Sequence, residues 1–513
     1  MAGLVPSVDI SSGLPKLGSL VLGALLFAVL PRLGRRLLGR IIWVLLAGVL
    51  LLCLVANVQV DRNSWKLDAL NRPVYAAFAH LPRLSELAFN QNAVAAVLIL
   101  ALPFALALAT LRHRPEHTLA GRCGRGQGEG PVASPSGHIH DSRPPCSGLN
   151  NSKQRQAPAQ ERMLRCARHD KRSVGCKLVA AGIAGLLLAE LALTESRAAI
   201  LSLGLASALF AAYERGRWRW LALGAPAAAA ALVASGLVAL PVSLSWLPTG
   251  GSSAERLAIW QSTLQMIGDA PLTGIGLGMF QQVYAGYMLP AFHNTQPHAH
   301  NLFLESWAET GVLGCLGMCL LVAALVAGLR WVEGDDWVSV GAAVSSVAVL
   351  LHAQVDSYFA GDARTYWLMF LPLAIVAGRR PAATHVQQVV NWRWAAAGLL
   401  IFAPGPLGMR WLPSLFWTNL GSIERLKGQL GAGRAFEQAL AAQPRDWVAE
   451  RGLGLLDLSE GAYASASSHL AAAEHDGASG ALVHFERGQA LFGSGAQAAA
   501  VEEWRSAGAA PYL

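Results

Sequence analysis

His298 and His300 stand one residue apart in Pro297-His-Ala-His-Asn-Leu-Phe-Leu-Glu-Ser-Trp-Ala-Glu-Thr-Gly311, with Asn301 and Glu309 following. Three chemistries fit such an imidazole pair. With His293 or Glu305 it supplies nitrogen and oxygen ligands for a divalent cation, as in a hydrolase. It serves equally as a pair of structural histidines at a membrane interface. A neutral imidazole also takes a proton from a hydroxyl near neutral pH, the work of a general base. Spacing alone leaves all three open.

These groups need elements to hold them, and the residues upstream indicate two. Ser252 and Glu255 have the spacing of a capping box, so a helix starts near Ser253. Leu257, Trp260, Leu264 and Ile267 recur at helical spacing as its buried face, Arg256 lies at its beginning, and Pro271 ends it. A short amphipathic helix of this kind lies along a membrane surface. Next comes Pro271-Leu-Thr-Gly-Ile-Gly-Leu-Gly278, whose glycines invite a nucleotide-binding reading. No βαβ unit surrounds them and no GK[ST] follows. Glycines here suit a backbone that passes close to a bulky ligand or to another helix.

Composition sets the wider frame. Hydrophobic residues make up 53% of the 513-residue chain and charged ones 14%, against about a quarter charged in soluble domains. The class is a membrane protein. The formal charge of +8 accompanies no nucleic-acid motif, and basic residues of polytopic proteins gather in cytoplasmic loops. Seven cysteines show no disulfide framework and no paired zinc spacing. No cationic segment precedes the first apolar run, so no cleaved leader is expected.

A membrane helix needs about 20 apolar residues. Ten spans are expected, at residues 17–33, 41–60, 93–111, 177–193, 198–213, 220–246, 312–329, 338–351, 365–378 and 394–412. Arg32, Arg35, Arg36 and Arg40 place the first connection in the cytoplasm. Alternation then puts Arg215, Arg217, Arg219, Arg379 and Arg380 on that side. The opposite face receives 61–92, 194–197, 247–311, 352–364 and the tail after Pro413.

The fold class is therefore all-α: a polytopic bundle of spans over 1–111, 177–247 and 312–412. Residues 112–176 form a polar, basic, disordered cytoplasmic loop, 248–311 the candidate catalytic loop, and 413–513 a helical tail. In the tail, Phe436–Leu440, Ser468–Leu470 and Glu502–Trp504 lie about one helical-hairpin repeat apart, like degenerate TPR units. Such an array offers a surface to a protein partner.

Several of these stretches together resemble the O-antigen ligase family. Glu255-Arg-Leu-Ala-Ile-Trp260, Pro271-Leu-Thr-Gly-Ile-Gly276 and His298-Ala-His-Asn301 with Glu309 and Gly311 are similar to its signature in order and spacing. Thr194-Glu-Ser-Arg-Ala-Ala199 resembles its Ser-Arg motif, Asn90-Gln-Asn92 its N-x-N motif, and Leu351-His-Ala-Gln-Val-Asp356 its later His/Asp motif.

The resemblance implies an enzyme of the bacterial inner membrane, working on the periplasmic face without nucleotide or required metal. It moves a glycan from undecaprenyl pyrophosphate to an acceptor such as lipid A core, a growing polymer or a protein. It further implies that Arg197 and Arg256 neutralise the pyrophosphate as it leaves, since a guanidinium grips phosphate at two points. His300 then acts as the base, with His298 as the second candidate. Asn301 and Glu309 orient the base or the sugar, and His352, Asp356, Asn90 and Asn92 shape the site. Two features depart from the pattern. The ten spans fall short of the family's usual number, and His352…Asp356-Ser-Tyr358 stands where protein-glycosylating relatives carry His…Glu-Tyr-Pro.

Overall fold

The computed structural model describes residues 7, 9–59, 91–111, 159–214, 252–288, 297–334, 336–356, 365–378 and 411–508, and the elements among them are all helical. The chain enters the body through α1 (Ile10–Val29), α2 (Arg35–Gln59), α3 (Gln91–Thr110), α4 (Ala159–Leu193) and α5 (Arg197–Glu214). Two helices of the intervening loop follow, α6 (Ser252–Asp269) and the single turn α7 (Phe280–Tyr284). The body closes with α8 (Leu302–Leu329), α9 (Trp337–His352) and α10 (Phe370–Ala377).

Among the described residues, five stretches are long and apolar enough to cross a membrane: Ile10–Arg32, Arg35–Val58, Gln91–Thr110, Val174–Leu193 and Leu302–Leu329. Arg197–Ala211, Trp337–His352 and Tyr366–Ala377 are shorter apolar helices at three more of the expected places. The chain is thus a helical, multi-pass membrane protein. The expected spans 220–246 and 394–412 lie wholly or almost wholly outside the described residues. α4 starts at Ala159, inside the stretch expected to be irregular, because good helix formers at Ala159–Arg165 prolong the apolar helix. Residues 112–158 lie outside the described part.

α3 is the central helix, with 72% of its apolar window buried, against 17% for α8. It is apolar all round, as a helix enclosed by others must be. α9 crosses α3 closely at Gly341, where an added Cβ would meet the Phe104 ring, and Ser345 Oγ donates to Leu100 O at 2.8 Å. Small residues and interhelical hydroxyl bonds hold helices together where lipid removes the hydrophobic drive.

α8 carries a break that shapes the loop. Gly311 adopts φ 65°, ψ −157° inside the helix. The break frees two carbonyls: Ala308 O accepts from Ile275 N–H at 2.8 Å, and Glu309 O from Gly276 N–H at 3.1 Å. Val312 N–H in turn donates to Pro271 O at 3.0 Å. The glycine turn 271–278 is thereby stitched onto the kink. A Cβ at Gly311 would collide with Leu272 O, and one at Gly276 or Gly278 with the backbone of Ser7 or Ser12. These glycines serve close backbone approach within the chain. Gly311→Ala is expected to cost on the order of 3 kcal/mol, read as a lowered Tm in detergent.

The tail consists of three helical hairpins: α11 (Trp411–Leu426) with α12 (Ala432–Ala442), α13 (Trp447–Glu460) with α14 (Tyr463–His475), and α15 (Ala481–Gly493) with α16 (Gln497–Ser506). The alanine-rich stretches singled out by sequence are their second helices. Phe436, fully buried, is the wedge of the first junction, where Gly421 and Gly452 leave room for its ring. Asp446 caps α13 by accepting from Val448 N–H and Ala449 N–H, and Gly461 closes it at φ 78°.

Candidate functional site

The two histidines are held by backbone more than by their own side chains. Asn301 caps α8, its Oδ1 accepting from Phe303 N–H at 3.0 Å and Leu304 N–H at 3.1 Å. Its Nδ2 donates to Gln354 O at 3.2 Å, and Leu302 N–H donates to Ala353 O at 2.8 Å. The His298–His300 turn is therefore laced to the turn that follows α9. That second turn closes on His352 O, which accepts from Asp356 N–H at 2.9 Å.

The lacing brings the distant motif residues together. Asp356 Oδ1 lies 3.5 Å from His300 Nδ1 and 3.7 Å from His298 Nε2, and the two rings are 4.3 Å apart at their centroids. These separations are ion-pair range, longer than hydrogen bonds. Accordingly His298 Nε2, His300 Nδ1 and His352 Nε2 are all buried without a hydrogen-bond partner among the described residues. Burial opposes the charge on Asp356, but His298, His300 and His352 beside it hold its carboxyl well below the usual carboxylate range. The group is an anion. Arg256 is close enough for its charge to act on His352.

Ala299, between the histidines, is fully buried and gripped at both ends. Its carbonyl accepts from Trp260 Nε1 of α6 at 3.1 Å, and its N–H donates to Glu305 Oε2 at 3.3 Å. This grip holds His300 at φ 53°, and Glu195, just before Arg197, has φ 52°. They are the two non-glycine residues of positive φ among the described residues, one in each of two motif turns. Such conformations are costly and persist where the surroundings enforce them.

Glu305 leads to a second cluster. Lys16 Nζ of α1 lies 2.8 Å from Glu305 Oε1 and 2.7 Å from Glu309 Oε2, all three side chains being buried. Lys16 also sits 5.7 Å over the Tyr366 ring, and a cavity of about 280 Å³ opens beside it towards Leu277, Met318 and Phe370. Glu309 thus lies with Lys16, one side chain removed from the histidine turn. Arg197 opens α5, exposed; α5 packs against α9, the helix that ends at His352. Asn92 lies half-buried in the first turn of α3, and Asn90 lies outside the described residues.

A metal-ligand set exists in principle. His298, His300 and Asp356 each present one ligand atom within 4.8 Å of the others. Glu305, the carboxylate weighed for this role from spacing, is engaged with Lys16 and Ala299 instead, and His293 lies outside the described residues. Sequence reasoning missed Lys16 and the clamp role of Trp260. A lone lysine in an apolar helix was the available signal, since ionisable residues inside membrane segments carry function by default.

Fold and site together define a multi-pass helical membrane protein in which His298, His300 and Asp356 meet from two separate stretches. Residues 182–319 match the family model described as O-antigen ligase. The matched stretch contains Arg197, Arg256, His298, His300, Asn301 and Glu309 and supports glycosyl transfer of the ligase–polymerase type. No curated protein and no solved structure matches the chain.

Proposed function

We propose that the protein transfers a glycan from undecaprenyl pyrophosphate to an acceptor hydroxyl at the outer face of the bacterial inner membrane, as an O-antigen ligase does with lipid A core. One observation carries this reading. Asp356, buried, lies 3.5 Å from His300 Nδ1, and a carboxylate on that side favours the tautomer with Nδ1 protonated, which leaves Nε2 to accept a proton. His300 has the more open side chain of the pair, 19% exposed against 10% for His298, so His300 is the base and His298 a neighbour that binds the sugar.

In the step itself the acceptor oxygen attacks the anomeric carbon with inversion and gives its proton to His300 Nε2. The bond from that carbon to the pyrophosphate oxygen breaks, and Arg197 and Arg256 take up the negative charge that develops. Asn301, His352, Asp356 and, through Lys16, Glu309 shape and brace the pocket, and Asn90 and Asn92 are assigned to substrate binding. No step in this reading uses a divalent cation, and activity surviving EDTA is the expected result. The tail is read as three TPR-like units on the same outer face, with ten spans between them and the N-terminus.

A polymerase that lengthens the lipid-linked glycan uses the same step with a different acceptor, and protein glycosylation is a further variant. A deletion strain separates them on a glycan and lipopolysaccharide gel. Long lipid-linked polymer should accumulate with unmodified core; loss of long chains would replace ligase by polymerase, and an unchanged profile would refute both in favour of a membrane scaffold.

A further inference from the structure

The three hairpins of the tail contact the loop in a patterned way. Arg451 on α13, buried, donates through Nε and Nη2 to Glu486 of α15 at 2.8 and 2.6 Å. Through Nη1 it donates to Asp269 Oδ2, at the last residue of α6, at 3.1 Å. Tyr287 OH donates to the same Asp269 oxygen at 2.5 Å. From α11, Asn419 Oδ1 accepts from Leu272 N–H at 3.0 Å and Thr273 N–H at 3.3 Å, while its Nδ2 donates to Thr273 Oγ1 at 3.0 Å. Ile423 and Leu426 of α11 and Leu482 of α15 share one apolar cluster with Ile259, Met266 and Ile267 of α6.

Each of these contacts comes from α11, α13 or α15, the first helix of its hairpin. Stacked helical-hairpin repeats offer a continuous surface for a partner segment, and here the face of the first helices is filled by residues 259–287 of the same chain. We infer that the tail is an intramolecular cradle, with Arg451 and Asn419 as positioning residues that hold the C-terminal end of α6 and the glycine turn. Its partner is the chain's own loop.

The consequence runs along α6. One end of this helix is fixed by Arg451 through Asp269, and nearer the other end it carries Arg256 and the Trp260 whose Nε1 grips Ala299. A helix transmits displacement as a stiff rod, so the tail sets where Arg256 sits and how the histidine turn is held. That second effect rests on the glycan-transfer reading; the cradle itself does not.

The test uses the full chain in detergent or nanodiscs and three proteins: wild type, Arg451→Met, and Arg451→Met with Asp269→Asn and Glu486→Gln. Removing one partner of a buried charge cluster is costly because it leaves the other charges uncompensated, whereas the triple variant leaves no charge uncompensated. Hydrogen exchange across 259–287 should therefore rise at least tenfold in Arg451→Met and return close to wild type in the triple variant. With an undecaprenyl-pyrophosphate-linked glycan as donor, the donor KM should rise about as much and be restored alike. A merely structural role would lower the amount of folded protein and leave the donor KM of the remainder unchanged. Unaltered exchange in Arg451→Met overturns the cradle. Raised exchange with an unaltered donor KM overturns the positioning role, and raised exchange in a protein whose wild type transfers no glycan overturns the proposed function while leaving the cradle standing.

Discussion

Replacing His300 with alanine is expected to lower glycan transfer by at least about a hundredfold, the lower end of what a positioned general base contributes. The protein should remain folded, because the turn is held by Ala299, Asn301 and Leu302 through backbone bonds that the substitution leaves in place. His298→Ala should cost less, since its side chain is the more buried of the two. If His298→Ala were silent on donor and acceptor KM but abolished turnover, and His300→Ala did neither, the two roles would exchange. Asp356→Asn supplies the complementary reading. Its carboxyl is held below the ordinary aspartate value of 3.8 in the folded protein. A depressed carboxylate contributes stability that is fully present above the unfolded value and lost as pH falls through the folded one. Stability from Asp356 should thus be flat between pH 8 and pH 5 and decline only below about pH 4. Asp356→Asn should remove that acid limb and lower stability over the whole neutral range. A circular-dichroism or fluorescence melt against pH measures this, and an acid limb that survives Asp356→Asn would assign it elsewhere.

The sequence was most legible where chemistry and periodicity coincide. The capping box at Ser252 and the proline at 271 bracket α6 within a residue or two, and the kink of α8 at Gly311 falls one residue before the span expected from hydropathy. The hairpins of the tail were legible from alanine-rich repeats because packed second helices need small residues at each junction. Convergence was not legible. Nothing in the spacing of His300 and Asp356 says that one oxygen of the carboxylate lies 3.5 Å from the imidazole. That proximity comes from Asn301 and Leu302 bonding the turn after α9. Glu309 is the instructive case. As part of a family-like motif it pointed to the sugar, but its partner Lys16 is far away in sequence, on α1. Long-range ion pairs leave no local pattern to read.

That pair is where a conservative change should do the most damage. Lys16 carries one positive charge between two carboxylates, Glu305 and Glu309, with all three groups withdrawn from water. Substituting methionine keeps the length and apolar stem and deletes the charge. Two buried carboxylates would then face each other without the lysine charge between them, and removal of one partner from a buried ion cluster costs about 3–5 kcal/mol. The repulsion reaches the site through Glu305, because Glu305 Oε2 is the acceptor for Ala299 N–H between the histidines. Lys16→Met is therefore expected to lower the Tm in detergent and to slow glycan transfer together. Adding Glu309→Gln to Lys16→Met removes one of the two like charges and should recover most of the Tm. Transfer should recover with it if Lys16 acts only by balancing charge, and should stay low if the ammonium group is needed to hold Glu305 in place against Ala299. A Lys16→Met protein with wild-type Tm and wild-type transfer would show that α1 stands apart from the site, and the contact from the first helix to the histidine turn would lose its functional meaning.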